Sequence, residues 1–355
     1  MSKKIRVLVV DDSAFMRKAL VRMLSSDPAV EVLETASDGE DGYRKAMKLR
    51  PDVITLDVRM PGMDGITALR KIMSDCPAPV IMLSSLTSEG GEITLRALDI
   101  GAVDIIDKSK AHTAMDILEI AGELLAKVKA VAGVDAEKIS RRTTPAPEPV
   151  QETYAPPLHA TTIDVVVVGA STGGPPALQD ILTKLPADLP AAMLIVQHMP
   201  VGFTASLAER LNRLAPIEIS EAFDGNRVRP GLCLIAPSGL HMTLDRDKEG
   251  MFVRLSEEPA KTLHRPSVDV LMSSAAKVLG NRALGVLLTG MGADGAKGLK
   301  EMHDAGGRTI AQDEESCVVY GMPKVAVELG GVDRSISLGL MPFAIMQELG
   351  AALPG

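Results

Sequence analysis

Short apolar runs alternate with amphipathic stretches along almost the whole of this sequence. In the first part of the chain the runs are rich in Val, Ile and Leu, and they cover residues 5–10, 32–36, 53–56, 80–83 and 103–106. The same rhythm returns later, with runs over residues 163–168, 191–196, 283–288 and 308–312. Buried strands separated by helices are typical of parallel sheets that helices cover on both faces. The pattern therefore predicts an α/β fold, with five parallel strands in its first part.

One segment interrupts this alternation and divides the chain. Residues 140–162, SRRTTPAPEPVQETYAPPLHATT, combine prolines, threonines and charges without a helical or strand period, which is typical of a linker. We predict a domain over residues 1–130, a linker over residues 131–161 and a second domain over residues 162–355. In the second domain, residues 228–255 show a strand–turn–strand pattern around DKEG, which predicts an antiparallel hairpin. We thus expect a flavodoxin-like domain followed by a doubly wound α/β domain that carries this hairpin.

Composition excludes several functional classes. The net charge of −8 argues against nucleic-acid binding through bulk electrostatics, and 2% aromatic residues with no Trp offer no base-stacking platform. The cysteines Cys76, Cys233 and Cys317 lie far apart, which predicts neither a disulfide framework nor a zinc site. No apolar run approaches the roughly 20 residues that a membrane-spanning helix needs. We therefore expect a cytoplasmic protein that binds no nucleic acid and does not insert into a membrane.

Acidic residues follow two strands of the first domain. Asp11 and Asp12 come directly after the first strand, and Asp57 ends the third. In a doubly wound sheet of order 2-1-3-4-5 these strands are neighbours, so the three carboxylates should converge at the carboxyl edge of the sheet. Crowded carboxylates repel one another, and Mg²⁺ with oxygen ligands relieves that repulsion. Ser84 and Lys108 add a hydroxyl and a cation at the same edge, which completes the set needed for an aspartyl-phosphate site.

A single aspartate at a strand end can instead cap the next helix, as Asp12 or Ser13 could do for the first helix. The complete set, however, resembles the receiver domains of response regulators, on VVDDS, LDVRMPGMDG and the serine and lysine just named. The resemblance covers residues 5 to about 125. It implies that a histidine kinase transfers a phosphoryl group onto Asp57, while Asp12 and Asp57 hold Mg²⁺ and Asp11 assists.

Two positions depart from the receiver pattern. Ile105 stands where an aromatic switch residue is usual, and Ser109 stands where a proline commonly follows the lysine. These departures bear on the aromatic relay that such domains use and leave the phosphorylation chemistry intact.

The second domain opens with IDVVVVGASTGGPPAL, which runs from a strand through glycines into a helix. A dinucleotide-binding turn, G-x-G-x-x-G, would begin at Gly169 and end at Gly174, but its middle glycine is replaced by Ser171. That site also needs an acidic residue about 20 positions further on, and the second strand ends in Gln197 and His198 instead. The same letters satisfy G-x-S-x-G, the turn that presents a nucleophilic serine. We favour this second interpretation.

A nucleophilic Ser171 needs a base and an acid that orients the base. Of the six histidines, only His198 follows a predicted parallel strand, and its alternative is a solvent-facing loop histidine. Asp294 follows another buried strand in TGMGADG, where a helix N-cap is the alternative. Because open α/β sheets bind ligands at the carboxyl ends of their strands, we predict a Ser–His–Asp triad that hydrolyses an acyl substrate without a cofactor. The candidate oxyanion-hole donors are the backbone N–H groups of Thr172, Gly173 and Met291.

The motifs GASTGGP, QHMP, HRPSVDVL, LTGMGADG and QDEESCVVYGMP resemble the catalytic domain of the chemotaxis protein-glutamate methylesterases. The resemblance covers about residues 163–350 and, with the first domain, nearly the whole chain. It implies hydrolysis of γ-glutamyl methyl esters on methyl-accepting chemoreceptors, with deamidation of receptor glutamines in many members. The family's catalytic residues map onto Ser171, His198 and Asp294. A chemotaxis histidine kinase is the implied phosphodonor, and phosphorylation would regulate the esterase during adaptation.

Two other functional classes stay open at this point. One is a non-enzymatic module whose glycine-rich loops bind a phosphate or a nucleotide. The other is a DNA-binding response regulator, which needs a helix-turn-helix with a basic recognition helix. No such segment is visible after the linker, and the negative net charge also disfavours this class.

Overall fold

A computed structural model describes residues 3–84, 88–108, 114–134, 162–351 and 353 of the chain. These residues form two compact units, one on each side of residues 135–161. Ser109 and most of the predicted linker over residues 131–161 lie outside the described residues, so the domain boundaries stay predictions. Among the helices in the described part of the chain, none is both long and apolar enough to cross a bilayer.

The first unit alternates five strands with five helices. Its strands are β1 (Ile5–Val10), β2 (Val30–Ala36), β3 (Val53–Asp57), β4 (Val80–Ser84) and β5 (Asp104–Asp107). Its helices are α1 (Ala14–Leu24), α2 (Gly39–Leu49), α3 (Gly65–Asp75), α4 (Ser88–Ile100) and α5 (Ala114–Val131). The sheet has the order β2-β1-β3-β4-β5 and all its pairs are parallel. Both the flavodoxin-like order and the five predicted strands are confirmed.

The helix caps in this unit settle which acidic residues have a structural role. The Ser13 hydroxyl accepts a hydrogen bond from the Met16 N–H and caps α1. The Asp38 and Asp64 carboxylates cap α2 and α3 in the same way. A side-chain cap satisfies one of the backbone donors that a helix leaves open at its first turn. Asp12 is therefore not the cap of α1, and its carboxylate is available at the strand edge.

The second unit contains a larger parallel sheet and a separate hairpin. Its strands are β6 (Val165–Ala170), β7 (Ala192–Gln197), β8 (Glu218–Glu221), β9 (Leu232–Ile235), β10 (His241–Asp247), β11 (Gly250–Ser256), β12 (Ala283–Leu287), β13 (Arg308–Gln312) and β14 (Arg334–Ile336). Its α-helices are α6 (Gly174–Leu182), α7 (Phe203–Leu214), α8 (Val268–Leu279), α9 (Ala296–Asp304), α10 (Met322–Glu328) and α11 (Met341–Glu348). The sheet order is β14-β13-β12-β6-β7-β9-β8, with every pair parallel.

The hairpin agrees with the prediction at its turn and differs in its extent. β10 and β11 pair antiparallel with Asp247 opposite Gly250, so the predicted DKEG turn is confirmed. β9 also falls within the segment predicted to be antiparallel, but it pairs in parallel with β7 and β8. Its apolar letters LCLI suit a buried strand of either type, and the neighbouring strands decide the direction. The short strands β8 and β14, of 4 and 3 residues, were not predicted.

The topology positions one edge of this sheet for ligand binding. β6 lies between β7 and β12, so the chain leaves β6 to one side and later returns to its other side. Such a switch point opens a crevice at the carboxyl ends of the strands. Glycine is needed close to this crevice, because a Cβ on Gly169 would lie 2.2 Å from Val268 Cγ1. β6 and β7 are buried along their whole length, so the sheet holds the loops at their ends rigidly.

Candidate active site and phosphorylation site

Three carboxylates meet at the carboxyl edge of the first sheet. Each of Asp11, Asp12 and Asp57 offers an oxygen within 4.8 Å of those of the other two. Asp11 and Asp57 are buried, whereas Asp12 is exposed. Three carboxylates with oxygen donors and one open side are a donor set that suits Mg²⁺, which keeps several waters when it binds proteins. The residues predicted to hold the metal therefore fit it.

Lys108 connects two of these acids. Its Nζ lies 2.9 Å from Asp11 Oδ2 and 2.7 Å from Asp57 Oδ2. Burial raises the pKa of Asp57, and the ammonium of Lys108 opposes that rise. Burial also disfavours the charged form of Lys108, but its bonds to Asp57 and Asp11 outweigh burial and raise its pKa. One ammonium cannot balance three carboxylates, so the cluster keeps an excess of negative charge that a cation would offset.

Ser84, at the end of β4, lies on the strand next to β3, which Asp57 ends. Its hydroxyl shares a hydrogen bond of 2.9 Å with Thr94 Oγ1 on α4, and both side chains are buried. Ile105, at the position of the usual aromatic, is 2% exposed and packs in the core. The Ser84 hydroxyl is thus connected directly to α4.

In the second unit, three strand-end loops meet at the switch point. Ser171 follows β6, His198 follows β7, and Asp294 lies in the loop between β12 and α9. Backbone hydrogen bonds join these loops, because the Ser171 N–H donates to Thr289 O and the His198 N–H donates to Ala170 O. The loops that carry the predicted serine, histidine and aspartate are therefore tied to one another.

His198 and Asp294 form a direct pair, with His198 Nε2 2.8 Å from Asp294 Oδ2. The Asp294 carboxylate also accepts hydrogen bonds from the N–H groups of Val268 and Asp269 and from the Ser267 hydroxyl. Burial alone would raise the pKa of Asp294, but His198 and these donors outweigh burial and hold the pKa far below its ordinary value. The carboxylate is therefore ionised at neutral pH.

An ionised Asp294 fixes which nitrogen of His198 carries the proton. A carboxylate only accepts hydrogen bonds, so the neutral imidazole must donate from Nε2 and keep its lone pair on Nδ1. Nδ1 is buried and has no hydrogen-bond partner in the described part of the chain. The unprotonated nitrogen of a neutral His198 is therefore Nδ1, whereas in chymotrypsin Nδ1 is the nitrogen that donates to the aspartate.

Asp269 and Asp294 cap each other's helices. Asp294 accepts N–H groups at the start of α8, and Asp269, in the first turn of α8, accepts the N–H groups of Gly295 and Gly298 at the start of α9. Burial, with the nearby charge of Asp294, raises the pKa of Asp269. The N-cap alternative for Asp294 is therefore wrong, because Gly295 is the N-cap of α9; the Asp294 carboxylate instead accepts N–H groups at the start of α8, whose N-cap is Ser267.

The turn after Ser171 leaves a backbone donor without an acceptor. Gly173 has a φ of +79°, a conformation that favours glycine, and it precedes the first residue of α6. The backbone N–H groups of Gly173 and Met291 donate to no acceptor among the described residues. Thr172 is buried, and its carbonyl accepts from the Thr289 hydroxyl at 3.0 Å. The candidate oxyanion donors thus lie in two loops that Thr289 ties together.

Sequence reasoning missed three contributors to this site. The Gln197 side-chain amide donates to the carbonyls of both Ser171 and His198 and so joins the two loops. His264 stacks on His198, and Ser267 binds Asp294. His264 and Ser267 belong to the motif HRPSVDVL, which is part of the family resemblance. That motif is the sequence signal that could have pointed to these two residues. Gln197 followed the second strand in the sequence but had no pattern to mark it.

The chain combines a receiver-type acidic cluster with a Ser–His–Asp set at strand ends. This combination defines a response regulator with an enzymatic output domain. Comparison with known families agrees with this class. Residues 166–345 match the family model of the CheB methylesterase, and residues 7–118 match that of the response regulator receiver domain. The chain belongs to the CheB methylesterase family.

Several proteins are similar over nearly their whole length. The protein-glutamate methylesterase/protein-glutamine glutaminase 2 of Nitratidesulfovibrio vulgaris is 46% identical, over 97% of this chain and 99% of its own. The protein-glutamate methylesterase/protein-glutamine glutaminase of Syntrophotalea carbinolica is 49% identical, over 96% of each chain. The crystal structure of the CheB methylesterase catalytic domain of Thermotoga maritima superposes with a TM-score of 0.51 at 40% identity, over 53% of this chain and 99% of that domain.

Proposed function

We propose that the chain hydrolyses glutamate methyl esters on chemoreceptors, with Ser171 as nucleophile, His198 as base and Asp294 as the orienting acid. The observation that carries this proposal is the His198–Asp294 pair of 2.8 Å, which leaves Nδ1 buried and unpartnered on a residue whose backbone N–H bonds to Ala170, next to Ser171. The named activity of the relatives supplies the substrate class.

In the acylation step, Ser171 Oγ attacks the ester carbonyl carbon while its proton passes to His198 Nδ1. Asp294 stabilises the imidazolium that forms, because its carboxylate already accepts the Nε2 proton. The carbonyl oxygen becomes an oxyanion, and the N–H groups of Thr172, Gly173 and Met291 stabilise its charge. When the tetrahedral intermediate collapses, the carbon–oxygen bond to the methoxy group breaks and His198 returns the proton, so that methanol leaves.

In the deacylation step, His198 Nδ1 takes a proton from water, and the hydroxide attacks the acyl-serine. Collapse of the second intermediate breaks the bond to Ser171, which regains its proton, and the product is a glutamate carboxylate. A receptor glutamine can follow the same course with ammonia as the leaving group. Deamidation therefore requires no additional residue, which agrees with the double name of the relatives.

The first unit would regulate this reaction. An Asp57 carboxylate oxygen attacks the phosphorus of a phosphohistidine on the kinase, the phosphorus–nitrogen bond breaks, and the kinase histidine leaves. Lys108, which already contacts Asp57, donates to the phosphoryl oxygens. Ser84 provides a hydroxyl on the neighbouring strand. Asp11, Asp12 and Asp57 would hold Mg²⁺, which supplies charge neutralisation between the carboxylates and the phosphoryl group. A cytoplasmic location is consistent with both proposed partners, a chemoreceptor and a chemotaxis histidine kinase.

The direct test is methanol release from receptor cytoplasmic fragments that carry labelled methyl esters. We expect labelled methanol in proportion to enzyme concentration, and labelled ester that stays on the receptor would contradict the proposal. Titration of the same protein with inorganic phosphate and with nucleotides examines the binding-module alternative. Saturable binding without methanol release would favour that alternative.

Substitution of Asp57 by asparagine tests the regulation. A small phosphodonor such as acetyl phosphate should raise the esterase rate of the wild type by roughly 5- to 150-fold, the usual range of coupling between two sites. Asp57→Asn should show no increase, because the amide cannot form the acyl phosphate. Asp52→Asn is the matched control, since Asp52 accepts the Arg6 N–H at the opposite edge of the same sheet. Equal stimulation of Asp57→Asn and the wild type would overturn the role of Asp57.

Removal of divalent metal separates the two chemistries. With excess EDTA we expect the rise caused by acetyl phosphate to disappear, because the carboxylate cluster then repels the incoming phosphoryl group. The unstimulated rate of methanol release should stay unchanged, since the triad needs no metal. Addition of Mg²⁺ should restore the rise. A loss of the unstimulated rate with EDTA would show that the esterase itself depends on a metal.

A further inference from the structure

A second histidine contacts the proposed base. The rings of His264 and His198 are stacked, with their centroids 4.2 Å apart and their planes 26° from parallel. His198 is fixed at its edge by the hydrogen bond from Nε2 to Asp294. One hydrogen bond leaves the ring free to tilt about that bond, and Nδ1 has no bond of its own to prevent it. The flat contact with His264 restricts this tilt.

A third histidine holds His264 in place. His241 on β10 is completely buried, and its two ring nitrogens contact positions on either side of His264. Nδ1 accepts the Ser267 N–H at 3.2 Å, and Nε2 lies 3.1 Å from Thr262 Oγ1. Burial lowers the pKa of His241, which favours the neutral ring that one accepted and one donated hydrogen bond require. A single buried side chain thus clamps both ends of the segment 262–267.

The clamped segment is also connected to the acid of the triad. The Ser267 hydroxyl donates to Asp294 Oδ1 at 2.8 Å, and the Gly239 N–H donates to Arg265 O at 3.0 Å. The contacts therefore form a closed circuit that runs from His198 to Asp294, on to Ser267, back along the chain to His264 and again to His198. In such a circuit, a shift of His264 moves the base and the acid relative to each other.

We propose that His264 is a positioning residue for the esterase reaction. It holds the His198 ring at one tilt, so that Nδ1 keeps one position while Nε2 stays bonded to Asp294. The inference rests on the proposed function, because positioning is only measurable if His198 acts as the base. It assigns no proton transfer to His264 and needs only its flat ring.

Substitutions that separate planarity from volume test this role. His264→Phe keeps a flat ring at this position. His264→Leu introduces a branched apolar side chain of moderate size that has no flat ring. We expect kcat for methanol release to fall by about 10- to 100-fold in His264→Leu and His264→Ala, because small misplacements of a catalytic group have effects of this order. KM should change by less than about twofold, and His264→Phe should recover kcat to within about threefold of the wild type.

Controls make each outcome decisive. His303→Ala, a histidine on α9 that pairs with acids outside the site, is the matched control and should leave kcat unchanged. The thermal unfolding of every variant shows whether it is folded. If His264→Ala does not fold, the comparison of His264→Phe with His264→Leu still tests the role of the flat ring. Wild-type kcat in His264→Leu, or a His264→Phe as slow as His264→Leu, overturns the inference. Absence of methanol release from the wild type would instead overturn the proposed function.

Discussion

Replacement of Ser171 by alanine should lower kcat for methanol release by a factor of about 10⁴ or more, as the loss of a nucleophile does in other serine hydrolases. The variant loses only the hydroxyl, while the Ser171 N–H still donates to Thr289 O and the Ser171 carbonyl still accepts from Gln197. The turn should therefore keep its shape. Labelled methanol measured over hours of incubation provides the range needed for such a large effect.

Two comparisons serve as controls for the effect of Ser171→Ala. Ser335→Ala makes the same change at an exposed position on β14, the edge strand of the sheet, and should keep the wild-type rate. A module that binds phosphate through backbone N–H groups would be unaffected by Ser171→Ala. If Ser171→Ala released methanol as fast as the wild type, another nucleophile would have to be found.

Replacement of Asp294 by asparagine should lower kcat by about 10³- to 10⁴-fold, because it reverses the tautomer of the base. The asparagine NH₂ group can donate to His198 Nε2, which moves the imidazole proton to Nδ1. A protonated Nδ1 cannot accept the proton of Ser171. The matched control is Asp304→Asn, an exposed aspartate on α9. A wild-type rate in Asp294→Asn would show that the pair is structural.

The same substitution should also reduce stability in a pH-dependent way. The folded protein depresses the pKa of Asp294, so its stabilisation is complete above the ordinary aspartate pKa of about 3.9 and is lost as the pH falls towards the depressed value. At pH 7 we expect Asp294→Asn to lower the unfolding free energy of the second unit by about 1–3 kcal/mol, as for other buried bonds to charged groups. The difference between variant and wild type should shrink in acid. Calorimetry of the full chain at several pH values measures it.

The sequence predicts much of this molecule because most of its central strands are buried on both faces. Uninterrupted apolar runs such as residues 165–168 are typical of strands buried on both faces, so β3, β4 and β6 follow from the residue pattern. The convergence of Asp11, Asp12 and Asp57 follows from the strand order. The position of His198 follows from the same rule, since a residue after a parallel strand must lie at the carboxyl edge.

Other features depend on tertiary contacts that no local pattern records. His264 precedes Arg265 and Pro266 in an irregular segment, and its place beside His198 depends on the bonds that His241 makes. β9 joins the parallel sheet because β7 offers it an open edge, although its own letters also suit the hairpin. The partner of Ser84 on α4 likewise becomes visible only when the helix is packed.

The reciprocal caps of Asp269 and Asp294 have a consequence for how this enzyme can change. Asp294 binds His198, the proposed base, and also accepts N–H groups in the first turn of α8, while Asp269 does the same for α9. An acid that served catalysis alone could be lost by mutation and leave an intact, inactive protein. Here a substitution of Asp294 also removes the acceptor of two N–H groups in the first turn of α8, so we expect variants at this position to lose stability together with activity. The contact of Asp294 with His198 is therefore maintained together with the contact of Asp294 with the start of α8.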